Sequence, residues 1–327
     1  MPQMTKRERI FAALAKKDVD KVPFSIWYHI PHVDQDPRAL AEKMVELNNI
    51  YDCDFIKMMP FGNYVAVDFG LSCNYYCDPH KPVFERKWGI DCVDDWYKLE
   101  PLPATYGTYG KVLQTAQQTA KIAGDVPFVQ TIFAPLTTAK KLAGPAVFEY
   151  MRSNPEALHH ALQAIMETTL NFVKANAEAG VTGFFFATQT ASKDLLSAAE
   201  YAEFENKYNE PIMKLATELT KFNIIHIHGP NTYFEELVKL PSNAINWHDR
   251  WIDPPVEEAR KITDKCLLGG IHEKWLTNAD TSEIYDDIHA YVKRAGREGL
   301  IVTPGCCLET TCPEANKLAM SIAVHSC

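Results

Sequence analysis

The sequence predicts an α/β fold, a (β/α)8 TIM barrel that forms a single domain. Eight short runs are continuously apolar rather than alternating, which is typical of parallel strands whose two faces are both covered. A helical stretch follows each run, and eight is the number of strands that closes such a barrel. Although 327 residues exceed the usual domain size, barrels of this kind span roughly 200 to more than 400 residues as one domain. We therefore expect residues 1–327 to form one unit.

The predicted strands are short and are separated by segments with helix signals. Pro37 and Pro155 open two of these helices, because proline is favoured in a first helical turn, and Gly180 is placed to end the second one. The strands are predicted at residues 22–27, 54–59, 127–133, 183–188, 223–228, 244–248, 266–271 and 299–304.

One connection is about twice as long as a helix requires. Residues 61–125, between the second and third strands, are rich in tyrosine, tryptophan, proline and glycine. Long loops of this type usually form lids or binding loops. We expect an elaborated loop after strand 2 that lies over the barrel mouth and returns through a helix at residues 111–123.

Composition excludes several classes of protein. The chain has 33 Lys and Arg against 42 Asp and Glu, a net charge of -9, which argues against nonspecific nucleic-acid binding. No apolar run approaches the ~20 residues of a membrane helix, and the polar start of the chain has no signal core. The nine cysteines are then expected to be reduced thiols or metal ligands. We expect a cytoplasmic protein without membrane or nucleic-acid partners.

Polar side chains concentrate where the predicted strands end, which is where the active sites of such barrels lie. We predict that one group of them contacts the substrate and that a second group takes part in catalysis. The first group is Trp27, His29, Lys57, Gln189, Asn231 and His272, and the second is His248, Asp249 and Glu309.

Three residues form a candidate zinc site. His226 and His228 have the period of two that points both side chains to one face of a strand. Zinc prefers imidazole and thiolate, and a catalytic zinc usually takes three protein ligands. Cys306, after Pro304-Gly305 at the end of the last strand, completes the set, and Cys307 is an additional candidate. The same residues are also compatible with hydrogen-bonded histidines and small buried thiols. The cysteines of residues 61–125 match structural zinc patterns poorly.

Several stretches are shared with a known family. They are Thr5-Lys-Arg-Glu-Arg-Ile-Phe-Ala-Ala-Leu14, Asp20-Lys-Val-Pro23, Tyr51-Asp-Cys-Asp-Phe-Ile-Lys57, His226-Ile-His-Gly-Pro-Asn231, Thr303-Pro-Gly-Cys306 and Cys312-Pro-Glu-Ala-Asn316. With these motifs the whole chain resembles the uroporphyrinogen decarboxylase superfamily, and within it the branch of corrinoid-dependent methyltransferases.

The resemblance implies a zinc site and a corrinoid partner. In that branch a His-x-Cys after strand 5 and the Cys of a Pro-Gly-Cys after strand 8 bind zinc. His226 matches the first ligand and Cys306 the third, whereas the middle position is His228 here instead of cysteine. The corrinoid of these enzymes arrives on a separate protein, so a corrinoid protein is the expected partner.

The resulting hypothesis is methyl transfer between a small molecule and a corrinoid. Either a thiol accepts the methyl group, or a methyl ether or methylamine donates it. His248 or Glu309 would supply a proton, and Asp249 would orient an imidazole. A zinc site with one thiolate carries a net charge of about +1, which favours leaving-group activation. The alternatives are a tetrapyrrole lyase, which the scarcity of arginine disfavours, and a noncatalytic binding protein.

Overall fold

The computed structural model describes residues 3–327 and shows an α/β fold built on a seven-stranded parallel sheet. The strand order is β1-β4-β5-β6-β7-β8-β9, and β2 and β3 form a separate antiparallel pair. The strands are β1 (Ile56–Lys57), β2 (Ser72–Asn74), β3 (Phe84–Lys87), β4 (Phe128–Phe133), β5 (Gly183–Thr188), β6 (Ile224–Ile227), β7 (Ala244–Trp247), β8 (Cys266–Ile271) and β9 (Leu300–Pro304).

Helices alternate with the strands of the large sheet. They are α1 (Lys6–Leu14), α2 (Pro37–Ile50), α3 (Tyr64–Val67), α4 (Val93–Trp96), α5 (Gly107–Ile122), α6 (Pro135–Ala143), α7 (Val147–Ser153), α8 (Pro155–Glu178), α9 (Ala198–Glu200), α10 (Lys207–Leu219), α11 (Phe234–Leu237), α12 (Val256–Ile262), α13 (Thr281–Ala295) and α14 (Glu314–His325). A short 3₁₀ helix (Gly144–Ala146) precedes α7, and a π-helical segment (Tyr201–Asn206) precedes α10. No helix within residues 3–327 combines the length and apolar character needed to cross a bilayer.

The predicted first strand, residues 22–27, does not form a regular strand. Phe24 makes a single parallel bridge with Val302 of β9. Pro23 has no N–H to donate, and the N–H of Phe24 donates to the carboxylate of Asp54 at 2.8 Å instead of to a neighbouring strand. Asp54 is itself buried against the guanidinium of Arg9 at 2.5 Å. A side-chain contact thus replaces a ladder hydrogen bond.

Strand register brings the polar strand ends together. His226 in β6 pairs with Ala187 of β5 on one side and with Asn246 of β7 on the other. Because paired residues of parallel strands point to the same face of a sheet, His226 and Asn246 face each other. The segments that follow β6, β7, β8 and β9 leave the sheet at this same edge, and the candidate site lies there.

Residues 61–125 contain α3, the β2–β3 hairpin, α4 and α5. The hairpin is largely exposed, and its turn contacts the segment after β9. There the backbone carbonyl of Thr310 lies 3.3 Å from Nδ1 of His80, and the Thr310 hydroxyl donates to the carbonyl of His80 at 3.3 Å.

Candidate metal centre

Three ligand-type side chains come together where β6 and β9 end. The ligand atoms of His226, His228 and Cys306 all lie within 4.8 Å of one another. Sγ of Cys306 is 3.8 Å from Nε2 of His226 and 3.7 Å from Nδ1 of His228. His226 is buried, and the other two are partly exposed. The cysteines of residues 61–125 form no comparable group in the part of the chain that the structure describes.

The spacing of these atoms fits a zinc ion. With Zn–N near 2.0–2.1 Å, Zn–S near 2.3 Å and tetrahedral angles, a ligand nitrogen and a ligand sulfur stand about 3.6 Å apart. The two observed N···S distances are 3.8 and 3.7 Å. A set of two imidazoles and one thiol also matches the ligand types that zinc prefers. The two N···S separations therefore match those of a tetrahedral zinc site.

His226 is held in one orientation by the neighbouring strand. Its Nδ1 lies 2.7 Å from Oδ1 of Asn246, to which it donates, so Nε2 is left to face Cys306. Asn246 is fixed in turn, because its amide group donates to the carbonyls of Leu268 and Pro304, each at 3.1 Å. The His226 ring also stacks on Phe185, with ring centroids 5.0 Å apart. Partners of this kind orient metal ligands and set the tautomer.

Burial keeps both imidazoles in the form that binds metals. It lowers the pKa of His226 well below its ordinary value, and the neighbouring histidines add to that effect. Burial and His248 together lower the pKa of His228 to about 4. Since only the neutral imidazole has a lone pair to offer, both residues are ready to bind an ion at neutral pH.

A buried carboxylate supports a third histidine beside this group. His248 lies with Nε2 3.2 Å from Nδ1 of His228, and its Nδ1 is 2.5 Å from Oε1 of Glu273. Trp251 donates its indole N–H to the same oxygen at 2.9 Å. Burial alone would raise the pKa of Glu273, but the hydrogen bonds from His248 and Trp251 lower it. Glu273 is therefore an ionised partner for His248.

The predicted catalytic residues Asp249 and Glu309 do not have the surroundings expected of them. The carboxylate of Asp249 accepts from the backbone N–H of Gly270 at 3.0 Å and faces Tyr291, so Glu273 instead of Asp249 orients an imidazole. Asp249 is buried, which raises its pKa to about 7. Glu309 is exposed, and its side chain accepts from Thr311 at 3.5 Å.

Two of the predicted substrate residues, Trp27 and Lys57, lie in the interior next to the site. Nζ of Lys57 is 4.4 Å from the ring centroid of Phe185 and 5.6 Å from that of Trp27. The ammonium donates to the sulfur of Met59 at 3.0 Å, and burial lowers its pKa. No carboxylate lies within salt-bridge distance of this ammonium among residues 3–327.

His29 lies next to Cys307, the additional ligand candidate. Hydrogen bonds from Cys306 and His29, with Lys57 nearby, lower the pKa of the Cys307 thiol although burial opposes the change. This places Cys307 beside the candidate ligands, on the side of His29 and Lys57.

The other three predicted substrate residues, Gln189, Asn231 and His272, are spread along the carboxyl end of the sheet. Gln189 is partly buried, and its backbone N–H donates to Thr137 at 2.9 Å. Asn231 is exposed, donates to Asp194 at 2.8 Å and lines a surface cavity of about 790 Å³. His272 is partly buried, and burial lowers its pKa.

Comparison with known families assigns the chain. The family model for uroporphyrinogen decarboxylase (URO-D) matches residues 5–327. The chain belongs to the URO-D family. Its relatives include a methylcobamide:CoM methyltransferase, MtbA, of Methanosarcina mazei, which is 21% identical over 97% of this chain and 96% of its own length. Another, the methylcobamide:CoM methyltransferase MtaA of Methanosarcina barkeri, is 21% identical over 99% of this chain and 98% of its own.

A third relative acts on methylated thiols. This methylated-thiol–coenzyme M methyltransferase of Methanosarcina mazei is 24% identical over 72% of the chain and 67% of its own length. Among solved structures, a methyltransferase from Methanosarcina mazei superposes with a TM-score of 0.79, at 18% identity and covering 99% of both chains. A B12-independent methionine synthase from Shewanella sp. W3-18-1 follows at a TM-score of 0.56 and 14% identity, covering 89% of this chain and 87% of its own. These structures support the URO-D fold.

Two residues of this candidate site are absent from the set that the sequence suggests. They are Asn246, which orients His226, and Glu273, which orients His248. A Cβ on Gly305 would lie 2.9 Å from Cα of His248 and 3.1 Å from Oε2 of Glu273. The glycine before Cys306 therefore allows these elements to pack closely. Glu273 directly follows His272, which the sequence predicts at a strand end, and this position could have identified Glu273 as a site residue.

Proposed function

We propose that the chain is a zinc-dependent methyltransferase that transfers a methyl group between a methylated corrinoid and a small thiol. The observation that carries the proposal is the grouping of His226, His228 and Cys306 within 4.8 Å. They lie in a URO-D family chain whose relatives are corrinoid and thiol methyltransferases along nearly their whole length.

The protein's part in the chemistry is to hold an ion and orient what binds to it. A bound zinc would lower the pKa of a substrate thiol, so that a thiolate is available at neutral pH. His226 and His228 bind through neutral imidazoles and Cys306 through its sulfur. Asn246 fixes His226, and the rings of Phe185 and Trp27 keep water away from the inner side of the site. Nε2 of His248 is placed to receive the thiol proton.

The relatives favour a thiol over a methyl ether or methylamine as the small molecule. Three of them are named for coenzyme M, which is the methyl acceptor that their names give. The net charge of about +1 for a zinc site with one thiolate and two imidazoles favours the opposite choice, in which zinc activates the leaving group of a methyl ether or methylamine. Glu273 changes that balance, because its buried carboxylate adds a negative charge beside His248, which in turn contacts the candidate ligand His228.

Two architectural proposals accompany this function. Residues 22–27 serve as the eighth strand of the barrel. The backbone N–H of Ser25 donates to the carbonyl of Val302 in β9 at 3.1 Å, and the other side of the segment lies beside Asp54.

Residues 61–125 rim the mouth, which is supported by the contact of His80 with Thr310, four residues after Cys306. A corrinoid protein would dock on this rim.

The two rival functions make different demands on the site. A tetrapyrrole lyase needs several free cations for the substrate carboxylates. From the sequence we expect Arg38 and Arg250 to be the arginines that lie close to the mouth. Both are already paired, Arg38 with Glu42 at 2.7 Å and Arg250 with Asp287 at 2.7 Å. A noncatalytic binding protein would keep the metal site and show no turnover.

The experiment is a methyl-transfer assay on the zinc-loaded protein. Loss of the methylcobalamin absorbance on addition of coenzyme M is expected, together with one zinc per chain by metal analysis. Cys306→Ala should lose both. Cys327→Ala, which removes a partly exposed thiol after the end of α14, is the matched control and should lose neither. Stoichiometric zinc without turnover, with thiols or with a methoxy-aromatic panel in the reverse direction, would support a binding protein instead.

A further inference from the structure

Three lysines lie close to the candidate ligands. The positive charge of Lys57 acts on the imidazole of His226. Lys140 and Lys141 act in the same way on His228. In the described part of the chain none of the three lysines forms a salt bridge. The whole chain carries a net charge of -9, so the side of the site that these lysines form differs from the rest of the protein and favours an anion.

Two of these lysines have surroundings that accommodate a positive charge. Lys140 and Lys141 are both partly exposed, so water reaches their side chains. Nζ of Lys141 also lies 3.4 Å from Oδ1 of Asn63, and the carboxylate of Glu85 supplies a compensating negative charge. Lys57 differs from both, because its side chain is only 5% exposed. The need for an anion is therefore greatest at Lys57.

The ammonium of Lys57 lacks a partner for its charge. It donates to the sulfur of Met59 at 3.0 Å and faces the rings of Phe185 and Trp27, whose centroids are 4.4 and 5.6 Å away. A thioether is a weak acceptor, whereas an ammonium has three N–H donors. No oxygen accepts a hydrogen bond from Nζ in the part of the chain that the structure describes. Because a buried charge is costly unless it is paired, an anion from outside the chain would stabilise this arrangement.

Lys57 and the candidate metal centre share one aromatic neighbour. The ring of Phe185 stacks on the imidazole of His226 with centroids 5.0 Å apart, and Nζ of Lys57 lies 4.4 Å from the centroid of the same ring. A thiolate bound to the ion would therefore have the ammonium within reach of a short carbon chain. The rings of Phe185 and Trp27 offer that chain an apolar wall, and a low local dielectric strengthens the attraction between opposite charges.

We propose that Lys57 binds an oxyanion at the far end of the substrate, so that the small molecule is a short alkanethiol carrying a sulfonate or carboxylate group. The inference rests on the proposed function, which supplies the ion and the thiol, and it names the second group by which the protein recognises its substrate. A corrinoid such as methylcobalamin also carries an anion, its phosphate group. Because Lys57 is only 5% exposed, a small molecule reaches its ammonium and a bulky corrinoid does not.

Calorimetric titration of the zinc-loaded protein with two thiols tests the proposal without any turnover. Coenzyme M and 2-mercaptoethanol both carry a thiol on a two-carbon chain, which ends in a sulfonate in the first and in a hydroxyl in the second. The wild type should bind coenzyme M about 10–100-fold more tightly, as expected for a hydrogen bond between charged groups. Lys57→Met should lose this preference and keep its affinity for 2-mercaptoethanol. Lys265→Met, which removes a partly buried lysine that donates to Ser242 at 2.7 Å just before β8, is the matched control and should keep the preference.

Equal affinities of the wild type for the two thiols would overturn the proposal, as would an equal loss of both affinities in Lys57→Met protein that still holds zinc. A higher KM for methylcobalamin in Lys57→Met, with unchanged thiol affinities, would also overturn it, because the ammonium would then serve the phosphate of the corrinoid. Selective binding of coenzyme M without turnover would leave this proposal standing and refute the proposed function. Turnover with equal preference for both thiols would do the reverse.

Discussion

A buried carboxylate outside the metal site gives the most quantitative prediction. Glu205 lies in the π-helical segment before α10 and is fully buried. It accepts hydrogen bonds from the Thr190 hydroxyl and, at 2.8 Å, from the amide of Asn209. No cation pairs with it among residues 3–327. Burial therefore raises its pKa from an ordinary 4.5 to about 7, although the two hydrogen bonds work against the shift.

The sign and size of the effect on stability follow from this pKa. Because the folded protein binds the proton more tightly than the unfolded chain, the resulting stabilisation is complete below pH 4.5 and is lost as the pH rises through 7. One pKa unit corresponds to about 1.4 kcal/mol, so the full effect is about 3 kcal/mol. Between pH 5 and pH 8 we expect most of it, about 2.5 kcal/mol.

Glu205→Gln should remove this dependence on pH. Glutamine is neutral at every pH, and its amide can donate to Oδ1 of Asn209, a buried oxygen that has no partner in the described structure. Measured by urea unfolding, the stability of the variant relative to wild type should rise by about 2.5 kcal/mol from pH 5 to pH 8. Glu210→Gln, which changes an exposed carboxylate of the adjoining helix α10, should show no such change. A constant difference between Glu205→Gln and wild type would refute the reasoning.

Three further predictions concern the site and the acid side of the stability curve. Asn246→Ala removes the acceptor of His226 and should weaken zinc binding about 10–100-fold; an unchanged affinity in chelator competition would contradict this role. Gly305→Ala places a Cβ 2.9 Å from Cα of His248, so the turn must shift and the zinc content found by metal analysis should fall below one per chain. Burial lowers the pKa of His325 to about 4, so its stabilisation is present above pH 6.5 and is lost as the pH falls through 4. His325→Gln should therefore lose less thermal stability than wild type between pH 6.5 and pH 4, and equal losses would contradict the assignment.

The sequence predicts those residues of the site whose position depends only on where each strand ends. Apolar runs define seven of the observed strands, and the period of two puts His226 and His228 on one face. Cys306 follows because parallel strands end at one edge of the sheet. These inferences need only the direction of each strand, and they require no knowledge of side-chain conformations in the loops. The confirmed α/β sheet has the same basis.

The parts that the sequence does not predict depend on contacts between distant elements. Residues 22–27 are as apolar as a strand, but Pro23 lacks an N–H and Asp54 captures the N–H of Phe24. The sequence also suggested that Asp249 orients an imidazole, but its carboxylate accepts from the backbone N–H of Gly270. A carboxylate from the segment that follows β8, Glu273, reaches the imidazole of His248 instead.

His228 stands where the resemblance implies a cysteine ligand, and Glu273 is the electrostatic counterpart of this difference. A buried site favours electrical neutrality, because an unbalanced charge in a low-dielectric interior is costly. A zinc ion bound by two neutral imidazoles and one thiolate keeps about one positive charge. Glu273 is ionised and contacts the site through His248. Its carboxylate thus supplies the negative charge that a second thiolate would bring.

If Glu273 balances the charge of the ion, substitutions at positions 228 and 273 should have coupled effects on zinc affinity. In His228→Cys a second thiolate supplies the missing charge, so Glu273 is no longer needed to balance the ion. Glu273→Gln should then weaken zinc binding less in the His228→Cys background than in the wild type, with a coupling energy of about 0.5–3 kcal/mol in a double-mutant cycle. The measurement is zinc affinity by chelator competition for the four proteins. Additive losses would mean that Glu273 acts only by holding His248 in place, and that its charge has no part in binding the ion.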